Sequence, residues 1–364
     1  MLFRSRAHST ALVDNDYVVK IYRTLQAGPN PEIEMGRFLT DVANFANTPA
    51  LLGSVELVEG NEKSAVGVVH AFVANQGDLW TMSASYLDRF VEEQRLLAAS
   101  THPGEREEET PYLRYMSQAG RRVAELHLAL AGNSELAEFA PEPTGRDDVQ
   151  RWIDDLMLCA GRVFDALRQR RDMLREADRP LADQVLALQP ALPDWLETLL
   201  PREIDAASIR GHGDLDLNQL LIVKDDIFIV DFEGAPRRSI AERRRKAPAA
   251  RDIASMVRSI DYSATAALER ALKVAHDEHG KLGAALSEWR DRATTAFLAA
   301  YHEAMTDQRL WPSDPNAADG LLTFFLLEKA LNEIEHELSF RPEWLRVPLI
   351  GIIRMLSQPS FEAS

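Results

Sequence analysis

Residues 209–234 read IRGHGDLDLNQLLIVKDDIFIVDFEG. His212-Gly213-Asp214 opens the stretch, and Gln219 stands five residues beyond Asp214. Two β-rich runs follow, joined at Lys224-Asp225-Asp226, and together they read as a hairpin. The second run ends in Asp231-Phe232-Glu233-Gly234. The stretch is a loop with one acid and one amide, then a hairpin, then a second acid at a strand end. That layout suits phosphoryl transfer. One carboxylate meets an acceptor hydroxyl, while an amide and another carboxylate hold Mg2+ against nucleotide phosphates.

Upstream, Ala11-Leu12-Val13, a turn at Asp14-Asn15-Asp16 and the run Tyr17 to Tyr22 predict a β-hairpin. A lone hairpin is marginal, so these strands require a larger sheet. Lys20 lies inside the apolar second strand. It reads either as an edge lysine reaching solvent or as a lysine aimed at nucleotide phosphates. Pro31, Glu32 and Glu34 mark a helix start after Asn30. Glu34 either pairs with Lys20 or complements the helix dipole. Residues 51–58 and 65–73 predict two further strands, antiparallel to each other. Four strands and one helix make a small α+β lobe over residues 1–74, ending at Ala74-Asn75-Gln76-Gly77-Asp78. In this reading the backbone from Val69 to Ala71 meets an adenine edge.

Residues 75–364 read as mainly helical. Helical periodicity covers 86–100, 111–130, 147–176 and 181–200, with a break at Pro190 to Pro193. An acidic loop occupies 104–110. His127 has no sequence neighbours that would complete a ligand set and reads as a packing histidine. Residues 235–251 are basic, with Arg237, Arg238, Arg243, Arg244, Arg245, Lys246 and Arg251. A helix with Asp252 as its N-cap follows to Ile260. More helix is expected over 268–279, 283–303 and 320–340. The last of these turns from apolar to polar and sets Lys329, Asn332, Glu333 and His336 at spacings that can share a face, which either marks the helix leaving the core or lines a polyol acceptor pocket. Residues 358–364 read as a disordered tail.

Composition narrows the chemistry. The chain has 364 residues, 46% hydrophobic, with a net charge of −16. That charge argues against nucleic acid or an anionic membrane as partner. The single cysteine, Cys159, excludes an internal disulfide framework and a multi-cysteine metal site. No apolar run reaches the length of a spanning helix, and residues 1–20 lack a signal-peptide pattern, so a cytoplasmic location is expected. The scattered histidines disfavour a zinc hydrolase. No G-x-S-x-G elbow and no Walker-type P-loop occur. Kinase-type nucleotide chemistry remains, with Lys, Asp, Gln and Asp in the order that chemistry requires, though the letters differ from H-R-D and D-F-G.

The chain also resembles the maltokinases, enzymes of the aminoglycoside-phosphotransferase-like, protein-kinase-like superfamily that are often fused to trehalose synthase. The resemblance runs through VVKIYR, NPEIEMGRFLT, NTPALLGSVEL, FVANQGDLW, GRRVAELHLAL, HGDLDLNQ, VDFEGAPRRSIAERR, RDIASMVRSIDY and LEKALNEIEHEL with RPEWL. It implies an α+β, bilobal kinase-like fold with a small antiparallel-sheet N-lobe, here apparently truncated, and a helical C-lobe. In such enzymes about a hundred residues, a cap and the first strands, precede the VVKIYR strand. The implied activity is ATP- and Mg2+-dependent phosphorylation of maltose to maltose 1-phosphate for α-glucan synthesis. Carried over, Lys20 holds ATP phosphates, Glu34 orients it, Asp214 serves the acceptor hydroxyl, and Gln219 and Asp231 hold Mg2+. Arg251-Asp252 resembles the family's Arg-Asp pair, with Asp252 bracing the catalytic loop. Asp216 and Asn218 stand where the family has His and Gly, and Asn332 and His336 where it has tyrosines. With Glu335, Asp216 adds negative charge that suits a cationic acceptor, so a glucosamine kinase is the second implied reading. A sugar-binding module without turnover is the third.

Overall fold

The computed structural model describes residues 2–4, 8–99, 110–235, 238–274 and 279–356. Arg237, the acidic segment 104–109 and the tail 358–364 lie outside the described residues. In chain order the strands are β1 (Leu2–Arg4), β2 (His8–Val13), β3 (Tyr17–Tyr22), β4 (Leu51–Glu59), β5 (Glu62–Ala71), β6 (Glu142–Pro143), β7 (Ala207–Ser208), β8 (Leu220–Val223) and β9 (Asp226–Ile229). The helices are α1 (Pro31–Arg37), α2 (Leu79–Ala99), α3 (Thr110–Ala131), α4 (Arg146–Arg170), α5 (Arg179–Ala187), α6 (Leu192–Leu199), α7 (Ile240–Arg243), α8 (Ala250–Leu272), α9 (His279–Ala304), α10 (Pro315–Phe340) and α11 (Arg346–Leu356). The fold is α+β, with one five-stranded antiparallel sheet, the two-stranded pairs β6–β7 and β8–β9, and otherwise helices.

The chain divides into two compact units, each made of three segments. The first comprises residues 1–141, 209–247 and 263–307, and the second 142–208, 248–262 and 308–364. This division differs from the expected boundary at residue 75, because α2, α3 and α9 group with the sheet.

In the first unit, β1 to β5 form one antiparallel sheet of order β1-β2-β3-β5-β4. Sequence reasoning found four of these strands and missed the three-residue β1. The alternation of strand side chains sets Val18, Lys20 and Tyr22 on one face, and the opposite face leaves Tyr17 and Ile21 exposed. Ile33 of α1 packs with Leu51, Ala65 and Val68 as a small core. Asn30 caps α1 by accepting the N–H groups of Glu32 and Ile33, with Pro31 as the first helical residue. The ladder ends past β5, where the Phe72 N–H donates to Asp16 O at 2.8 Å. The connector then pairs with β8 through Gln76 N–H to Ile222 O and Ile222 N–H to Gly77 O. Helices α3 and α9 approach so closely that a Cβ on Gly120 would stand 2.1 Å from Phe297 O. His127 packs there, fully buried, with Nδ1 2.9 Å from the Tyr301 hydroxyl.

The second unit is built on α4, α5, α6, α10 and α11, whose apolar faces make one core around Trp152, Phe324 and Phe325. Helix α8 is a single helix from Ala250 to Leu272. Two helices with Asp252 as a cap were expected. Asp252 instead sits in the first turn, because the helix begins two residues earlier. Cys159 is a buried thiol in this core, in no disulfide. No helix among the described residues is long and apolar enough to cross a membrane.

Candidate active site

Lys20 is on an interior strand, between Thr10 of β2 and Val68 of β5, and is 6% exposed, so the edge-lysine reading fails. Its ammonium donates to Glu32 Oε2 at 2.9 Å and to Asp231 Oδ1 at 2.6 Å, and it also contacts Glu233 Oε1. Tyr22 donates to the same Glu32 oxygen at 2.6 Å. His70 Nε2 lies 3.3 Å from Glu32 Oε1, and His8 Nδ1 lies 3.2 Å from Glu233 Oε1. Burial alone would lower the Lys20 pKa, but Glu32, Asp231 and Glu233 outweigh it and hold the ammonium far above its ordinary range. Burial opposes ionisation of Glu32 too, yet Lys20, His70 and Tyr22 keep it well below the usual carboxylate range. Asp231 moves the other way. Burial, with Glu32 and Glu233 close by, raises it against the pull of Lys20.

The ligand oxygens of Glu32, Asp231 and Glu233 all lie within 4.8 Å of one another. Hard carboxylate oxygens this close fit a divalent cation of the Mg2+ class. Asp231 adopts φ 70°, a left-handed conformation that costs a non-glycine residue energy and that collects at functional sites.

One residue joins this cluster to the preceding loop. The Val230 carbonyl accepts from His212 Nε2 at 2.9 Å, and the Val230 N–H donates to Gln219 O at 3.0 Å. His212 is buried with its ring 4.8 Å from that of Phe232. Both ends of the segment bearing Asp214 and Gln219 are therefore pinned to the residue before Asp231. Gly213, at φ 83°, lets the loop pass where a Cβ would stand 3.5 Å from Gly234 Cα. Asp214 and Gln219 are half-buried. Asp216 accepts from Asn218 N at 2.7 Å and from Asn218 Nδ2 at 3.1 Å, so its carboxylate caps the short turn Leu217–Gln219.

The hairpin beneath is anchored at Asp226. Arg122 donates to both its oxygens, at 2.7 and 2.8 Å, Gln118 donates at 2.7 Å and Asn47 at 3.1 Å. The Ile229 N–H donates to Asn47 O. Lys224, in the two-residue loop between β8 and β9, takes φ 57°.

Two sequence expectations are corrected here. Glu34 does not meet Lys20. It accepts from Arg210 Nη1 at 2.6 Å and from Arg244 at 3.0 and 2.7 Å. Residues two apart on a helix point about 200° apart, and the cap at Asn30 sets Glu32, not Glu34, toward the sheet. Val69 and Ala71 do not offer a free backbone edge. Val69 lies between Val19 and Gly53 in the sheet, and the Ala71 N–H donates to Ala50 O at 2.9 Å. Sequence reasoning quoted Glu233 without giving it a role and missed Glu32, His8, His70 and Arg210. The E-I-E pattern after an Asn-Pro cap was the available signal for Glu32.

The polar face of α10 belongs to the second unit. Glu333 accepts from Arg258 at 3.0 and 2.6 Å, and Arg258 also donates to Asp261 at 2.5 Å. Asn332 donates to Glu328 O, and its Oδ1 lies 3.8 Å from Cys159 Sγ. Glu335 pairs with Arg162 at 3.2 Å on an exposed surface. Lys329 and His336 follow at helical spacing, the His336 ring 5.2 Å from that of Phe340. Arg251 makes a two-pronged pair with Glu328 at 3.0 and 2.7 Å.

No protein-family model matches the chain. Over 97% of its length it is similar to glucosamine kinase of Streptacidiphilus jiangxiensis, at 25% identity across 366 residues and 72% of that protein. Glucosamine kinase of Mycolicibacterium smegmatis is 23% identical across 359 residues, covering 97% of this chain and 78% of the other. A solved structure of glucosamine kinase in complex with glucosamine, ADP and inorganic phosphate superposes with a TM-score of 0.74 at 21% identity, over 98% of this chain and 79% of that one. The fold is kinase-like. Lys20, Glu32 and Asp231 form one ion-paired group joining β3, α1 and the segment after β9.

Proposed function

We propose that the protein is an ATP- and Mg2+-dependent sugar kinase whose acceptor is an amino sugar such as glucosamine. The observation that carries the reading is the Lys20 ammonium held by Glu32 and Asp231 at the foot of a hairpin pinned to the Asp214 loop. Lys20 binds nucleotide phosphates. Asp231, with Gln219 and the neighbouring carboxylates, holds Mg2+, which supplies charge neutralisation at the phosphates when bound. Asp214 aligns the acceptor hydroxyl and takes its proton. Positioning and fixed charge contribute most of the rate. Because Val69 and Ala71 are committed to the sheet, the nucleobase edge moves to the connector that begins at Val73.

The similarity to glucosamine kinases favours the amino sugar over maltose. The Asp216 and Glu335 charges contribute less to that preference than their letters imply, since one caps a turn and the other faces an exposed arginine. Asp216, Lys329, Asn332, Glu333 and His336 remain acceptor-side candidates on sequence resemblance, with Glu333 bound to Arg258. A cytoplasmic location fits this reading. A trehalose synthase partner has support only from the maltokinase resemblance.

The test is ADP release from ATP and Mg2+ with glucosamine, glucose, maltose or no sugar. Glucosamine is expected to stimulate ADP formation well above the no-sugar control. No stimulation by any sugar would leave a binding module without turnover, and a preference for maltose would restore the maltokinase reading.

A further inference from the structure

Helix α1 carries two carboxylates on opposite sides, and only one reaches the lysine. Glu34, half-buried, is met by two guanidinium groups from separate segments. Arg210 is 2% exposed and stands four residues before Asp214. Arg244 follows α7, beyond the Asp231-Phe232-Glu233-Gly234 turn. The grip on Arg210 is double. Its guanidinium also lies 5.6 Å from the centre of the Phe139 ring, and Phe139 stacks on Phe38, at the end of α1, at 3.7 Å and 10°. Arg243, beside Arg244, donates to Glu233 O at 3.1 Å. Three parts of the site therefore converge on one short helix: the lysine strand through Glu32, the catalytic loop through Arg210, and the segment after Asp231 through Arg244. Burial opposes ionisation of Glu34, and Arg244 and Arg210 outweigh it, so the carboxylate stays charged and both ion pairs persist at neutral pH.

We propose that Glu34 is a positioning residue that fixes the Asp214 loop relative to the Lys20 cluster by holding Arg210 and Arg244 together. It touches neither nucleotide nor acceptor and acts through Arg210. The kinetic part of this inference rests on the sugar-kinase reading, while the structural part does not. A carboxylate that only stabilised α1 would affect folding alone. One that registers the loop has a separate signature, a fall in kcat at unchanged KM for ATP.

The experiment compares the full chain with Glu34→Gln, Glu34→Asp and Arg244→Gln. Two measurements are made: sugar-dependent ADP formation, and hydrogen–deuterium exchange over residues 209–220. Glu34→Gln is expected to lower kcat about 100-fold, the scale of a misplaced catalytic group, with KM for ATP unchanged. The amides of 209–220 should exchange faster, while those of β4 and β5 stay as in the parent. Glu34→Asp should recover part of kcat. Arg244→Gln keeps the Arg210 pair and should move both readouts the same way by less, which keeps the test open if Glu34→Gln does not fold. Parent-like exchange and kcat in folded variants would overturn the proposal. If the unsubstituted chain forms no ADP with any sugar, the kinase reading falls, and the exchange measurement alone decides the role of Glu34.

Discussion

Glu32 and Glu34 differ by two positions and serve different neighbours. The sequence pointed to Glu34 as the partner of Lys20 and gave Glu32 only a helix-start role, because which glutamate faces the lysine depends on how the Asn30 cap orients a seven-residue helix against a sheet built from distant strands. Asp214, Gln219 and Asp231 lie along one loop and hairpin, so the local layout that carries them was legible from their spacing. What the spacing did not reveal is their common anchor, the two backbone groups of Val230. Asp214→Asn keeps the shape of the side chain and removes its basicity. Sugar-dependent turnover should fall by about 10²–10⁴-fold, the usual share of a positioned proton acceptor, with ATP binding and melting temperature close to the parent. Turnover within a few-fold of the parent would remove Asp214 from the proposed role.

At the scale of elements, the strands were legible where apolar runs were bounded by turn residues, as in β2–β3 and β8–β9. The boundaries of α8 were not. Helix was expected to 260 and again from 268, but the residues between are helical too, with Asp261 and Ser263 buried. Asp226 was read as a turn residue and is the anchor of the hairpin. Partial burial opposes its ionisation, and hydrogen bonds from Arg122, Gln118, the Ile227 N–H and Asn47 overcome that and hold its pKa well below the ordinary value. A depressed carboxylate pKa stabilises the fold above the unfolded value of about 3.9 and loses that contribution as pH falls through the folded value. Asp226→Asn should therefore lower the melting temperature most near neutral pH, with the gap to the parent narrowing in acid. A gap that is the same at neutral and acid pH would mean that the charge of Asp226 contributes nothing.

At the scale of the whole molecule, the chain passes between its two compact units five times, since each unit is made of three alternating segments. The sequence could not reveal this, because the expected boundary followed the change from strand-rich to helix-rich composition. Neither unit is a contiguous piece. Residues 1–141 contain the sheet but lack the β8–β9 hairpin that Asn47 and Arg122 hold, and lack α9, against which Gly120 packs. That fragment, expressed alone, should give no cooperative unfolding transition by circular dichroism. A sharp transition would show that the sheet and α3 are self-sufficient.

The carboxylate cage around Lys20 also bears on how the protein meets chemical reagents. Only a neutral amine can attack an acylating agent, and the three acids keep this one protonated far into alkaline pH. Lys63 and Lys224 are exposed on the same chain. Limited treatment with an amine-reactive ester, read by peptide mass spectrometry, should mark those two and leave Lys20 unlabelled. Glu233→Gln should begin to unmask it. The lysine proposed to meet the nucleotide would then be among the last that a covalent inhibitor could capture, unless the inhibitor first drew the carboxylates away.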